Sequence, residues 1–121
     1  MPLRIKDATI ISIEDTETKK LRILKANSKE DGFSLSLELP DALCDPFNTK
    51  DTISITIDSE EIARGEKAKL YAEGKVFKLD DSSDLSVVAT FGGLRGVLQL
   101  SSPKPAQRKT FDSEKIFISL E

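Results

Sequence analysis

Apolar and polar residues alternate along most of this chain with a period of two, the spacing of strands that bury one face. The clearest case is 33–39, where Phe33, Leu35, Leu37 and Leu39 share a face opposite Ser34, Ser36 and Glu38. Pro40 ends that run, since it cannot donate to a ladder. Ile53, Ile55 and Ile57 repeat the pattern against Ser54 and Thr56. Residues 8–14 (ATIISIE) are rich in β-branched side chains and read as a first strand. Residues 21–26 read as a second, with Leu21 and Ile23 against Arg22, although Leu24 breaks the alternation. Ile116, Ile118 and Leu120 form the last strand, with Phe117 on its other face. Polar turns at 15–19 and 27–32 separate the first three strands. Residues 41–51, with Pro46, and 101–114, with Pro103 and Pro105, read as loops. After Ile57, Asp58 and Glu61 have capping-box spacing and Gly65 can end a helical turn. One short helical turn is expected there at most.

Residues 69–79 carry two phases. Leu70, Ala72, Gly74 and Val76 share one face, whereas Phe77 and Leu79 belong to the other. A bulge near Gly74 would switch the phase within one long strand. A tight turn at Glu73-Gly74 would also separate the two runs. Asp80, Asp81, Ser82, Ser83 and Asp84 form the next loop.

Two apolar runs then meet at Gly92-Gly93. Two-residue glycine loops favour the I′ and II′ turns whose twist suits a hairpin. Counting outward pairs Phe91 with Leu94, Ala89 with Gly96, Val87 with Leu98 and Leu85 with Leu100 on the buried face. Thr90 with Arg95, Val88 with Val97 and Ser86 with Gln99 fall on the other. A slip by one residue would destroy this sorting. Eight strands at these spacings predict an all-β fold, a closed or two-layered antiparallel sheet.

Composition narrows the chemistry. The 121 residues make one domain, 1–121, whose core needs neither disulfide nor metal. Charged residues make up 32% and the net charge is −3, a solvated surface with no global bias toward nucleic acid. Histidine is absent, which excludes imidazole metal sites and triads with a histidine base. Cys44 is the single cysteine and reads as a small hydrophobe. No apolar run approaches the ~20 residues of a spanning helix, and no signal-peptide core precedes the first strand. A soluble intracellular protein is expected.

Three motifs carry a resemblance. Gly74-Lys75-Val76-Phe77-Lys78-Leu79 is followed by an acidic, serine-rich gap, then by Phe91-Gly92-Gly93-Leu94. Lys115-Ile116-Phe117-Ile118-Ser119-Leu120 closes the series. In order and spacing they resemble the small eighth subunit shared by eukaryotic nuclear RNA polymerases. The closer match is its counterpart in the archaeal DNA-directed RNA polymerase. The resemblance is strongest over 70–120. The shortness of 58–65, where eukaryotic relatives carry a longer insertion, points to the archaeal branch. The resemblance implies a single antiparallel β-barrel of about eight strands, oligonucleotide-binding-like, with one long strand over 69–79. It implies a non-catalytic subunit docked on the largest subunit near the pore and funnel, supporting assembly. Nucleotidyl transfer would belong to metal-binding carboxylates of the large subunits. It further implies no cofactor, metal, membrane or small-molecule substrate, and DNA and RNA met only through the complex. The expected compartment is the cytoplasm of an archaeal cell, or the nucleus of a eukaryotic one.

Other constellations are weaker. Asp80, Asp81 and Asp84 offer oxygen ligands but lack the spacing of a calcium loop, so a solvated turn is expected. Gly92-Gly93 lacks the lysine, the hydroxyl residue and the helix of a phosphate cradle. Lys104, Arg108 and Lys109 form a basic loop of the kind that is solvated or touches an acidic partner. Lys75, Phe77 and Lys78, with Tyr71 on the same strand, have the texture of a surface for single-stranded nucleic acid. A chain with so few aromatics is expected to keep Phe77 inside instead, with the lysines solvated. A free-standing barrel binding single-stranded nucleic acid is the alternative to the polymerase subunit, and net acidity argues against it. The expected partner-binding residues are Lys75, Phe77, Val88, Phe91, Gly92, Gly93, Leu94, Arg95 and Val97. Free sheet edges would offer a second way to dock, by pairing with an extended segment.

Overall fold

The computed structural model describes residues 3–17, 20–62, 67–80, 84–101 and 103–121. Eight strands run in chain order: β1 (Leu3–Asp15), β2 (Leu21–Ser28), β3 (Phe33–Pro40), β4 (Thr52–Asp58), β5 (Leu70–Asp80), β6 (Leu85–Phe91), β7 (Leu94–Leu100) and β8 (Lys115–Leu120). They close into one barrel in the order β1-β2-β3-β7-β6-β5-β8-β4. Every neighbouring pair is antiparallel. The fold class is the expected one.

Alternation does most of the sorting. β3 buries Phe33, Leu35, Leu37 and Leu39, and β4 buries Ile53, Ile55 and Ile57. Facing side chains from all eight strands meet in one apolar cluster. The first strand is longer than 8–14: Leu3 and Ile5 also enter the core. It serves two neighbours, β4 through Leu3 to Thr9 and β2 through Thr9 to Asp15. Register shifts between Ile5 and Ala8 and between Ile10 and Ser12 let it turn from one to the other.

The glycine hairpin has the register that counting outward gives, from Phe91 opposite Leu94 to Leu85 opposite Leu100. Gly92 (φ 60°) and Gly93 (φ 85°) are both left-handed, as a type I′ turn requires. Leu94, at the turn, is only half-buried. Phe91 lies with its ring across the barrel wall between two other glycines. A Cβ on Gly74 would stand 2.5 Å from Phe91 Cδ1 and 2.7 Å from the Thr90 carbonyl oxygen. A Cβ on Gly96 would stand 2.8 Å from Phe91 Cε2. Both are closer than a real Cβ contact, so these glycines make room for the ring.

β5 is one long strand, and no turn interrupts Glu73-Gly74. The irregularity sits three residues after Gly74, between Val76 and Lys78, with Phe77 the extra residue. This corrects the bulge expected near Gly74. A phase switch at Gly74 would have carried both Phe77 and Leu79 inward. A switch at Phe77 leaves Phe77 outside and pairs Leu79 with the buried Val87, where Leu79 itself stays 40% exposed.

No helix starts at Asp58, whose carboxylate accepts instead from the Ser59 amide at 2.7 Å. The rest of that expected turn, with Gly65, lies outside the described residues. The short helical pieces fall in the two loops, a 3-10 turn (Asp41–Cys44) and a five-residue helix α1 (Pro105–Lys109). Neither loop is purely polar. Cys44 and Phe47 from one, and Phe111 from the other, join the core cluster. Burial pushes the Cys44 thiol up from its usual range, so it stays protonated and acts as the small hydrophobe expected.

β8 is buried on both faces. Its outward residue Phe117 is covered by Tyr71, ring centroids 6.1 Å apart, and Lys115 Nζ lies 5.7 Å from the Phe117 ring centre. Ser119 is fully buried, and among the described residues its Oγ has no hydrogen-bond partner. A hydroxyl held dry and unpaired destabilises the native state. Ser119→Ala is therefore expected to raise the stability by about 1 kcal/mol in urea unfolding. A loss of stability would show that the hydroxyl is satisfied.

Candidate docking face

The bulge in β5 shapes the outer wall. An extra residue in one strand puts two successive side chains on the same side. Phe77 and Lys78 both project outward here, and Lys78 stands opposite Val88 of β6. Val88 in turn stands opposite Val97 of β7. Thr90 lies between Lys75 on one side and Arg95 on the other. Phe77, Lys78, Val88, Thr90 and Arg95 line one open groove.

Phe77 is 78% exposed. The expectation that it fills the core is wrong. The other five phenylalanines, Phe33, Phe47, Phe91, Phe111 and Phe117, are all buried. The general argument for aromatics inside holds for those five, and Phe77 is the exception the bulge creates.

The expected partner-binding residues separate into three groups. Lys75, Phe77, Val88, Arg95 and Val97 come together on the outer wall. Gly92, Gly93 and Leu94 form the hairpin tip at its end, with open space beyond both glycines. Phe91 is 8% exposed and turned into the barrel, so it supports the tip from inside and offers no surface. Lys78 and Thr90 belong to the wall but not to the expected partner-binding set; Lys78 enters the sequence reading only in the nucleic-acid texture of Lys75, Phe77 and Lys78. The signal for Lys78 was the phase conflict over 69–79, which located a bulge but three residues too early.

The charges of this wall are unbalanced. Among the described residues no carboxylate pairs with Lys75, Lys78 or Arg95. Glu38 Oε1 accepts from the Arg95 backbone amide at 2.9 Å, and among the described residues no carboxylate forms an ion pair with the guanidinium. Lys75 stands opposite a second cation, Lys115, whose own partner is Glu73 at 3.2 Å. By contrast, Arg22 pairs with Asp15 and Asp41, and Lys25 with Glu14.

The expectation of docking through free sheet edges is wrong. Because the barrel closes through β4 and β1, every strand has two ladder neighbours. Side chains of the outer wall are left as the means of contact. Other candidate sites are bare. No group of three or more metal-ligating side chains occurs among the described residues. Asp80 and Asp84 are exposed, and Asp81 lies outside the described residues. In the basic loop Lys104 and Lys109 are exposed and Arg108 is half-buried. No helix among the described residues is long and apolar enough to cross a membrane. No protein family matches this chain, and no curated protein matches it.

Proposed function

We propose that the chain is a non-catalytic small subunit of a multisubunit DNA-directed RNA polymerase. It docks on the largest subunit and supports assembly. The order of the three motifs over 70–120 suggests the family, with its oligonucleotide-binding-like barrel. The observation that carries the docking role is Phe77, a large aromatic 78% exposed beside Val88 on a barrel with no free edges. Exposed aromatic side chains next to β-branched ones suit a protein contact. No cofactor is called for, and the reaction chemistry belongs to the larger subunits. The test is affinity purification of the tagged chain from its own cells. The expected result is a nuclease-resistant, stoichiometric complex with the large polymerase subunits. Elution of the chain alone, with polymerase in other fractions, would overturn the proposal.

One observation favours a second reading. Phe77 stands between Lys75 and Lys78, the arrangement by which barrels stack and hold single-stranded nucleic acid. That reading requires tight oligonucleotide binding that weakens steeply with salt.

A further inference from the structure

We propose that the groove of Phe77, Lys78, Val88, Thr90 and Arg95 seats an extended acidic segment of a protein partner. That segment alternates carboxylates with apolar side chains. Under the function proposed above it belongs to the largest polymerase subunit; the groove chemistry is the same whichever protein supplies it.

Three features define the occupant. The first is the floor. Val88 and Thr90 are half-buried, β-branched and two residues apart on β6. Alternate residues of a strand are roughly 6.6 Å apart, the repeat of alternate side chains on an extended peptide. The second is the wall. Phe77 is held outward by the bulge and meets only solvent over most of its ring, so an apolar side chain laid against it leaves water. The third is the rim. Lys75, Lys78 and Arg95 carry three positive charges unpaired among the described residues, on a chain whose net charge is −3. An unpaired guanidinium beside an apolar groove is a fork for a carboxylate. Charge complementarity selects an acidic occupant.

The same features favour peptide over nucleic acid. A strand of bases needs successive stacking platforms. The other outward ring on β5, Tyr71, is packed on Phe117, and its hydroxyl accepts from the Ile62 amide at 3.2 Å. Phe77 is thus the one free aromatic platform among the described residues. Valine and threonine on the floor offer side-chain packing, not base stacking.

The test is an NMR titration of the full chain with the acetylated peptide Glu-Leu-Asp-Phe-Glu-Leu-Asp. Its lysine-for-carboxylate and glutamine-for-carboxylate counterparts and a decathymidylate serve as comparison probes. Amide shifts are expected at Phe77, Lys78, Val88, Thr90 and Arg95 with the acidic peptide. Affinity is expected to fall roughly tenfold with either replaced peptide, and as much in the Lys78→Glu, Arg95→Glu chain. Both substitutions are at exposed positions, and an unchanged thermal melt shows that the variant is folded. Absence of these shifts, equal binding of the lysine peptide, or tighter binding of decathymidylate in the groove overturns the inference. Groove binding in a chain that fails to copurify with polymerase would sink the polymerase reading alone. Copurification undiminished in the folded Lys78→Glu, Arg95→Glu chain would sink the groove assignment alone.

Discussion

Gly74→Ala is expected to destabilise the barrel by about 3 kcal/mol, the upper range for a side chain forced into a packed wall. In thermal unfolding this corresponds to a drop of roughly 10 °C. The new Cβ meets the Phe91 ring at 2.5 Å and the Thr90 carbonyl oxygen at 2.7 Å. A ring can shift, but that carbonyl is part of the β5–β6 ladder and cannot. Gly96→Ala provides the contrast. Its nearest neighbours are side-chain atoms, Phe91 Cε2 at 2.8 Å and Leu37 Cδ1 at 3.1 Å. Phe91→Leu should therefore rescue most of the Gly96→Ala loss and only part of the Gly74→Ala loss. A double-mutant cycle measures both couplings. Equal rescue at the two positions would mean that the Phe91 ring alone sets the constraint. Gly93→Val is of another kind, because open space surrounds the site. Its cost is backbone strain at φ 85°, about 1 kcal/mol.

Phe77→Asp is expected to abolish incorporation into polymerase while leaving the free domain as stable as before. Exposed substitutions usually change stability by within about 0.5 kcal/mol. An aromatic anchor in an interface contributes about 2 kcal/mol or more, close to thirtyfold in affinity. The paired substitution Val88→Asp, Val97→Asp should also block assembly, at some cost to the fold. Its two new carboxylates would face each other directly across β6 and β7. Phe77→Asp is the cleaner probe for that reason. The measurement is copurification of large subunits with each tagged variant, alongside its melting curve. Full incorporation of a folded Phe77→Asp chain would remove the outer wall of β5, β6 and β7 from the interface.

The sequence shows where local chemistry decides and hides what distant partners decide. The hairpin of β6 and β7 was legible to the residue, because Gly92-Gly93 and the alternation around it admit one register. The faces of β3 and β4 were equally plain. The length of β1 was not. Its first residues, Leu3 to Lys6, acquire a partner only when β4 arrives some fifty residues later. Loop residues Phe47 and Phe111 gave no periodic signal, because they enter the core from irregular backbone. The candidate face was half legible. Val88 and Val97 followed from the hairpin register. Phe77 stands among the expected partner-binding residues, yet the rule that aromatics are buried pulls it inside, and alternation alone cannot locate the residue at which the phase changes.

The position of β8 has a consequence for how the chain is made. It stands between β5 and β4 in the barrel and follows all seven other strands in the chain. A ribosome adding about 5–20 residues per second takes on the order of ten seconds to reach it. Until Ile116, Ile118 and Leu120 emerge, β4 and β5 remain open edges of an unclosed sheet, and the apolar interior lacks one wall. Folding therefore cannot finish vectorially, strand by strand. It waits for the last segment and then completes two ladders at once. During that interval the nascent sheet is a substrate for chaperones and for its own aggregation.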